Sequence, residues 1–567
     1  MKWDEEVDLL VCGSGAAGLT AALVGAHEGL SVMLCEKSSL IGGTTATSGG
    51  TLWIPGAPPI VRAGRAEPVE NVRHYLHGEL GARLRSDYLE AFLAAGPAAI
   101  AYLEQHTDVK FQHAQNPDYH ADAPGGSAYG RNIAVLPFDG RQLGKDFALL
   151  RPPRPVFMVL GGMMVGRREI PMLLRPFASW TAFRQTTSSI AKHVWSRLRY
   201  PRGTRLLIGN ALVARFLFSL GKTKVKLAVD SPLIRLVRED DRPDAAVIGA
   251  IVGGKDGQRA VRARRAVVLA TGGIAHDRGL RSELMNGFPH EYSMTYEGNT
   301  GDGMKAARAV GAHTDDQVES PAFWSPASVM KNRDGSETLW IHGHMDRGKP
   351  GLIAVNKSGK RFVNEADSYH DFVMAMFNAN REAPTIPAWL ICDHRFIRRY
   401  GLGLIRPVVG RLSRYIAAGY LHRADTLDAL ARSIGIDPAG FALTIEQHNR
   451  DAKTGVDTAF GRGNAVLNQF NGDPECAPNP CMAPMESGPY YAVTIYPCSI
   501  GTTVGLFTDC DARVLDRAGQ AINGLYACGN DMGSVMRGMY PGPGVTLGPA
   551  VTFAYRAVMN IVGKPPS

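Results

Sequence analysis

A chain of 567 residues is too long for one simple core, so two domains are expected. Hydrophobic residues make up 45% and charged residues 20%, an ordinary globular balance. No window holds the roughly 18 uninterrupted apolar residues that a membrane-spanning helix needs. The net charge of +9 is concentrated in residues 151–222, where Glu169 is the only acid. No nucleic-acid module or aromatic-interleaved basic motif accompanies it, so nucleic acid is not an expected partner.

Residues 1–8 are charged and lead straight into an apolar run, without the basic, apolar and small-residue blocks of an export signal, which predicts a cytoplasmic location. Residues 8–12 read as a short buried strand. Gly13-Ser14-Gly15-Ala16-Ala17-Gly18 follows at once and opens a helix to about residue 28, and a second strand over 31–35 ends on Glu36 and Lys37. This is a βαβ start with a glycine fingerprint in its expected context. The glycines allow a tight turn and close approach of a pyrophosphate, and the helix N-terminus offers unpaired N–H groups and a positive dipole end. Glu36 falls 18 residues after Gly18, where a carboxylate can accept hydrogen bonds from ribose hydroxyls.

The next cluster holds Gly42, Gly43, Thr44, Thr47, Ser48, Gly49 and Gly50. Small residues and hydroxyls let a backbone lie against a flat ring system and bond its heteroatoms, so FAD fits better than NAD. The basic stretch 151–222 mixes arginine with apolar clusters at 156–165 and 206–220. That mix suits an anionic membrane surface or a partner subunit; the plainer reading is a solvated helical insertion whose arginine stems cover apolar surface.

A basic turn at 262 leads into a strand over 266–270 and then Thr271-Gly272-Gly273, a pattern that returns a chain to its dinucleotide. Asn299-Thr300-Gly301-Asp302-Gly303 opens a helix through 310, so the same domain resumes. From about 319 to 487 the composition reads as a second, α+β domain, and the last 80 or so residues return to strand and turn chemistry with Gly529, Asn530 and an apolar helix over 550–561. The expected architecture is α/β. A discontinuous Rossmann-like FAD-binding domain spans 1–317 and 488–567, with an α+β substrate and catalytic domain inserted at 318–487. Eight cysteines without a CxxC pair predict reduced structural thiols. Cys476 and Cys481 lack histidines at ligand spacing, so no metal is expected.

On these motifs the chain resembles the fumarate reductase and succinate dehydrogenase flavoprotein superfamily, which shares the Gly13 fingerprint, the Gly42 to Gly50 cluster and Gly359-Lys360-Arg361-Phe362-Val363-Asn364-Glu365 in some form. Met539-Tyr540-Pro541-Gly542-Pro543-Gly544-Val545-Thr546-Leu547 is similar to the C-terminal signature of the 3-ketosteroid Δ1-dehydrogenases. Pro117-Asp118-Tyr119, Gly130-Arg131 and the run from Asn364 to Tyr369 support that match. The resemblance implies FAD-dependent 1,2-dehydrogenation of a 3-ketosteroid. Tyr369 would be the base, assisted by Tyr119. The Tyr540 hydroxyl and the Gly544 backbone N–H would hold the ketone oxygen, with hydride passing to flavin N5. Gly544 and Leu547 would also border the cofactor, and reoxidation would fall to an unidentified, quinone-like acceptor. No histidine stands in the segment 42–50, where succinate dehydrogenases place the one that attaches their flavin, so the resemblance implies dissociable, non-covalent FAD.

Such a reaction must stabilise an enolate while a base takes the α-proton. A free tyrosine titrates near about 10, so a phenolic base needs a neighbouring hydroxyl or positive field. Two departures point to a pocket of different shape: Gly501-Thr502-Thr503-Val504-Gly505 replaces the family's frequent Gly-Thr-Lys-Gly-Gly, and Phe323-Trp324-Ser325-Pro326 replaces Trp-Trp-Gly-Pro. They leave the reaction type standing and the steroid open. The alternatives are a smaller ring ketone such as cyclohexanone or an oxocyclohexane carboxylate, a Δ4-type ketosteroid dehydrogenase, or, using the basic stretch 151–222, a non-catalytic flavoprotein electron carrier. Arg361 and Glu365 are expected to serve structure or domain docking. Trp53 and Trp324 either line an apolar pocket or pack in the core.

Overall fold

The computed structural model describes residues 2–166, 169–242, 244–254, 257–289, 291–343, 346–407 and 411–566. Two large sheets organise them, one of eight strands and one of seven. In the first, β1 (Glu5–Cys12) lies between β2 (Val32–Cys35) and the strand Gly257–Leu269, parallel to both, with Leu10 opposite Met33 on one side and Val267 on the other. A strand covered on both faces must be apolar throughout, and the C-terminal half of β1 is fully buried. The helix α1 (Ala16–His27) makes the crossover between β1 and β2, buried on all sides from Ala16 to Gly25. It packs against the closing helix Leu547–Val562. The strand Ala521–Ala527 joins parallel to Gly257–Leu269, so the C-terminal segment completes the first sheet. This is the expected α/β class.

The second sheet is built around the long strand Tyr490–Thr502, antiparallel to Ala322–Lys331 on one side and Ala388–Asp393 on the other. This strand begins beyond residue 487 yet belongs to the second sheet, so the return to the first comes after Thr502. Its dense run of aromatic, β-branched and small residues, buried along most of its length, suits a central position. Tyr292–Ser293, from before 318, also pairs with it.

The basic stretch is not one uniform surface. Its helix Ile208–Leu220 is almost wholly buried and contacts α1, whereas the helix Trp180–Arg197 leaves Trp180, Val194 and Trp195 exposed, beside Leu198 and an 85% exposed Phe177. The arginine stems therefore do not cover this apolar surface as the plainer sequence reading supposed. Among the described residues, Arg199 is placed near one of these rings, 5.6 Å from the centre of Trp195. Arg167 and Arg168 lie outside the described residues. Among the described residues no helix is long and apolar enough to cross a membrane.

Candidate active site

A cavity of about 380 Å³ opens at the C-terminal ends of β1, β2 and Gly257–Leu269, where open parallel sheets bind ligands, and side chains of the second sheet close its far wall. Gly13, Ser14, Gly15, Ala16 and Ala17 line it. Gly15 caps α1 without a side-chain bond, and the Ala16 N–H donates to Thr45 Oγ1 at 3.0 Å. The positive end of the helix therefore faces the cavity. One oxygen of Glu36 accepts from the Ser14 N–H at 3.0 Å and its hydroxyl at 2.5 Å, and the other accepts from the Ser38 N–H at 2.9 Å. Lys37 pairs with Asp302 at 2.7 Å.

Gly43, Thr44, Thr47, Ser48, Gly49 and Gly50 form the next stretch of wall. No atom lies within 4 Å of where a Cβ on Gly43 or Gly49 would sit, so a side chain there would project into open space. Thr271, Gly272, Asn299, Gly529, Asn530, Gly544 and Leu547 complete the expected set. Gly18, Gly42 and Gly273 do not reach the cavity. A Cβ would stand 1.8 Å from the Gly13 carbonyl oxygen at Gly18, 2.8 Å from Ala46 and Val213 side chains at Gly42, and 2.3 Å from Thr502 Oγ1 at Gly273. These three glycines allow close packing behind the wall.

At one end the cavity meets three buried phenols. The rings of Tyr119 and Tyr540 are stacked with centres 5.4 Å apart, and Tyr369 stands edge-on to both, at 5.4 and 5.2 Å. Tyr369 and Tyr540 line the cavity; Tyr119 stands behind them. Tyr369 hydrogen-bonds with Tyr119 and Tyr540, and Tyr540 with Thr546. Burial pushes all three phenols well above the usual tyrosine value. The Arg347 guanidinium works in the opposite direction on Tyr119 and Tyr369. That guanidinium is itself buried and donates to the carbonyls of His342, Gly343, Glu365 and Asp367, the last two just ahead of Tyr369.

The phenols come from three distant segments tied together by polar contacts. The Pro541 carbonyl accepts from the Tyr119 N–H at 2.8 Å and the Tyr75 hydroxyl at 2.6 Å. Asp118 accepts from Arg131 and from the Trp53 indole N–H, both at 2.8 Å. His120, next to Tyr119, contacts Glu79 at 2.7 Å and Asp371 at 3.0 Å, and Asp371 lies two residues after Tyr369. Trp53 and Trp324 are fully buried and do not line the cavity; the Trp324 indole donates to Ser320 at 2.7 Å. Arg361 and Glu365 are also structural, in a buried network with Asp457 and Arg462.

Sequence reasoning missed Thr45, Thr546, Tyr296 and Arg154 as wall residues. Thr45 lies within the glycine cluster 42–50 and Thr546 within the run 539–547, where hydroxyls among glycines were the available signal. Tyr296 and Arg154 carried none.

A glycine-rimmed βαβ unit whose cavity runs from an open helix N-terminus to a cluster of phenols defines a two-sheet flavoprotein oxidoreductase. The FAD binding domain family matches residues 8–547, and the chain belongs to it. It is similar to the 4-oxocyclohex-2-ene-1-carboxylate 5-dehydrogenase of Sinomonas cyclohexanicum, with 37% identity over 98% of this chain and 93% of that protein. It is 33% identical to the 3-oxosteroid 1-dehydrogenase of Mycolicibacterium smegmatis, over 98% and 97% of the two chains. The crystal structure of 3-ketosteroid Δ1-dehydrogenase from Sterolibacterium denitrificans in complex with 1,4-androstadiene-3,17-dione superposes with a TM-score of 0.91 at 33% identity, over 99% of this chain and 100% of that one. The chain is an FAD-dependent oxidoreductase acting on CH–CH groups.

Proposed function

We propose that the chain introduces a double bond beside the carbonyl of a ring ketone, in the manner of a 3-ketosteroid 1,2-dehydrogenase. The observation that carries this reading is the phenol cluster at one end of the cavity, with Tyr540 and Gly544 on one turn and the Tyr369 ring edge-on to that of Tyr540. Gly13 to Ala17, Gly43 and Thr44 would hold the dinucleotide phosphates, Glu36 the ribose, and Thr47 to Gly50 the ring system. Thr271, Asn299, Gly529, Asn530 and Leu547 would complete that binding surface. When bound, FAD supplies the two-electron acceptor for the hydride.

The protein's own share is to hold an oxygen and move a proton. A phenol kept protonated by burial suits Tyr540 as donor to the ketone oxygen, with the Gly544 N–H as second donor. Charge that gathers on this oxygen as the α-proton leaves is met by donors already fixed in place. Tyr369 takes the α-proton. Burial and the bond to Tyr119 oppose its phenolate, while the bond with Tyr540 and the field of Arg347 work in its favour.

The test is anaerobic mixing of the FAD-loaded protein with a 3-ketosteroid saturated at C1–C2, read as bleaching of the oxidised flavin. Bleaching that is lost in Tyr540→Phe and Tyr369→Phe supports the reading, and unchanged rates in both variants overturn it. A second reading, the same desaturation on a smaller ring ketone, is favoured by the 37% identical relative named for an oxocyclohexene carboxylate. The exposed Phe177, Trp180, Trp195 and Leu198 beside basic residues support peripheral contact with an anionic membrane. Co-sedimentation with anionic but not neutral vesicles checks that contact. A quinone-like acceptor is our proposal for reoxidation.

A further inference from the structure

Four charged side chains line the cavity, and three are accounted for. Glu36 is held by Ser14 and Ser38, and Lys37 and Asp302 pair with each other. The fourth, Arg154, forms no ion pair among the described residues. Its Nη2 donates to the carbonyl of Met294 and, at 3.4 Å, to that of Thr295. The wall around it is apolar, made of Phe157, Met294, Ile341 and Ile500.

A second guanidinium stands behind this wall. Arg281 is 6% exposed and spends one nitrogen on the Ala275 carbonyl at 2.8 Å, while its Nε and Nη2 have no hydrogen-bond partner among the described residues. Both arginines act on the thiol of Cys498, in the strand that also carries Ile500, so their charges add on one side of the pocket. Burial lowers the pKa of each, and on Arg154 the charge of Glu297 acts the other way only in part, without an ion pair between them among the described residues. An apolar pocket wall with a desolvated positive field favours a ligand that brings the missing negative charge, and a guanidinium is the planar donor that grips a carboxylate.

We propose that Arg154 anchors a carboxylate carried by the ring ketone, so that the substrate class is a cyclic keto acid. This rests on the desaturase reading and narrows it. Two sources share the chemistry: a single-ring oxocyclohexane carboxylate, and a 3-ketosteroid with an acidic side chain.

The experiment uses the FAD-loaded enzyme, Arg154→Gln and Arg154→Lys, with paired ligands. These are 4-oxocyclohexanecarboxylate and its methyl ester, and a 3-ketosteroid acid and its methyl ester, with anaerobic flavin bleaching as readout. The expected result is an apparent affinity about 10- to 100-fold higher for an acid than for its ester, the scale of a lost charge-assisted bond. That ratio should collapse towards one in Arg154→Gln and be largely kept in Arg154→Lys. The pair that shows the ratio identifies the source.

Equal affinity for acid and ester in the wild type overturns the proposal. So does an acid preference that survives unchanged in FAD-loaded Arg154→Gln, and a variant that no longer retains FAD would assign Arg154 to the cofactor instead. If Arg154→Gln fails to fold, the wild-type and Arg154→Lys ratios decide. Cyclohexanecarboxylate cannot react as a ketone, and its perturbation of the oxidised flavin spectrum tests the anchor without turnover. If it binds in an Arg154-dependent way while no ring ketone bleaches the flavin, the anchor stands and the desaturase reading falls.

Discussion

Tyr369 and Tyr540 share a hydrogen bond yet serve opposite needs, one giving up a proton and the other keeping it. Burial raises both, which favours the donor and works against the base. A base acts only when deprotonated, so a raised pKa puts the ascending limb of the rate profile on the alkaline side. The expected outcome is a kcat/KM for the ketone that keeps rising from pH 7 to 9; a flat or falling profile there removes Tyr369 as base. Tyr369→Phe should slow flavin bleaching by about 10²- to 10⁴-fold, the usual range for a general base. Tyr540→Phe should slow it by about 10²- to 10³-fold, the range for one oxyanion donor. Stopped-flow rates at saturating ketone check both figures, because a lost transition-state contact lowers the limiting rate rather than only the affinity.

At the scale of elements, the turn over 539–544 works because it lies flat against a strand. Gly544 has φ +102°, and a Cβ there would stand 2.6 Å from the Thr51 carbonyl oxygen and the Trp53 nitrogen of β3 (Thr51–Trp53). Gly544→Ala should therefore cost about 1–3 kcal/mol or more in a melting experiment and shift the donor geometry, with a fall in bleaching rate beyond that of a merely less stable protein. The helix Tyr369–Ala379 is fixed differently, by His120 between Glu79 and Asp371. Burial opposes a charge on His120, but bonds to Asp371 and Glu79 overcome it and raise its pKa to about 11, while Asp371 is held below its usual range. For a histidine with a raised pKa, the stabilisation is complete below its unfolded value of about 6.5 and is lost as pH climbs towards 11. For Asp371 it is lost below about pH 4. The melting difference between wild type and His120→Gln should thus be widest near pH 5 to 6 and shrink by pH 9 to 10. A difference that does not vary with pH would show a packing role alone. The turn was legible because its residues are contiguous, its prolines fix φ and its glycines permit conformations other residues avoid. The clamp was not, because His120 meets partners 41 and 251 residues away and no local pattern announces such a meeting.

Across the whole molecule, the nucleotide unit could be read from the first 50 residues, since β1, its turn, α1 and β2 are local in sequence and their periodicity is unambiguous. The sheet to which Tyr490–Thr502 belongs could not, because a central apolar strand reads the same whichever sheet receives it; only its pairing with Ala322–Lys331 and Ala388–Asp393 decides. Arg154 was hidden for a related reason, as its place in the pocket depends on a wall assembled from 157, 294, 341 and 500.

That long-range assembly makes the cofactor part of the stability of the whole. The cavity wall takes Gly13 to Ala17, Thr271 and Gly529 from the first sheet and its connections, and Ser325, Ile341 and Ile500 from the second. A ligand that contacts many of these groups at once binds only when both halves are in place, so it stabilises the folded chain by linkage, by about 2.7 kcal/mol at a free concentration 100 times its dissociation constant. Removal of FAD should lower the melting temperature and speed amide exchange at 42–50, 271–273 and 529–530. It should also do so in the helix Tyr369–Ala379, which the dinucleotide site does not include but whose first residue borders the same cavity. Exchange that quickens at the glycine segments but leaves 369–379 unchanged would mean that the second sheet holds the phenols unaided. Exchange that quickens at both would mean that FAD and the catalytic tyrosines are ordered together, with the cavity as the joint between the two sheets.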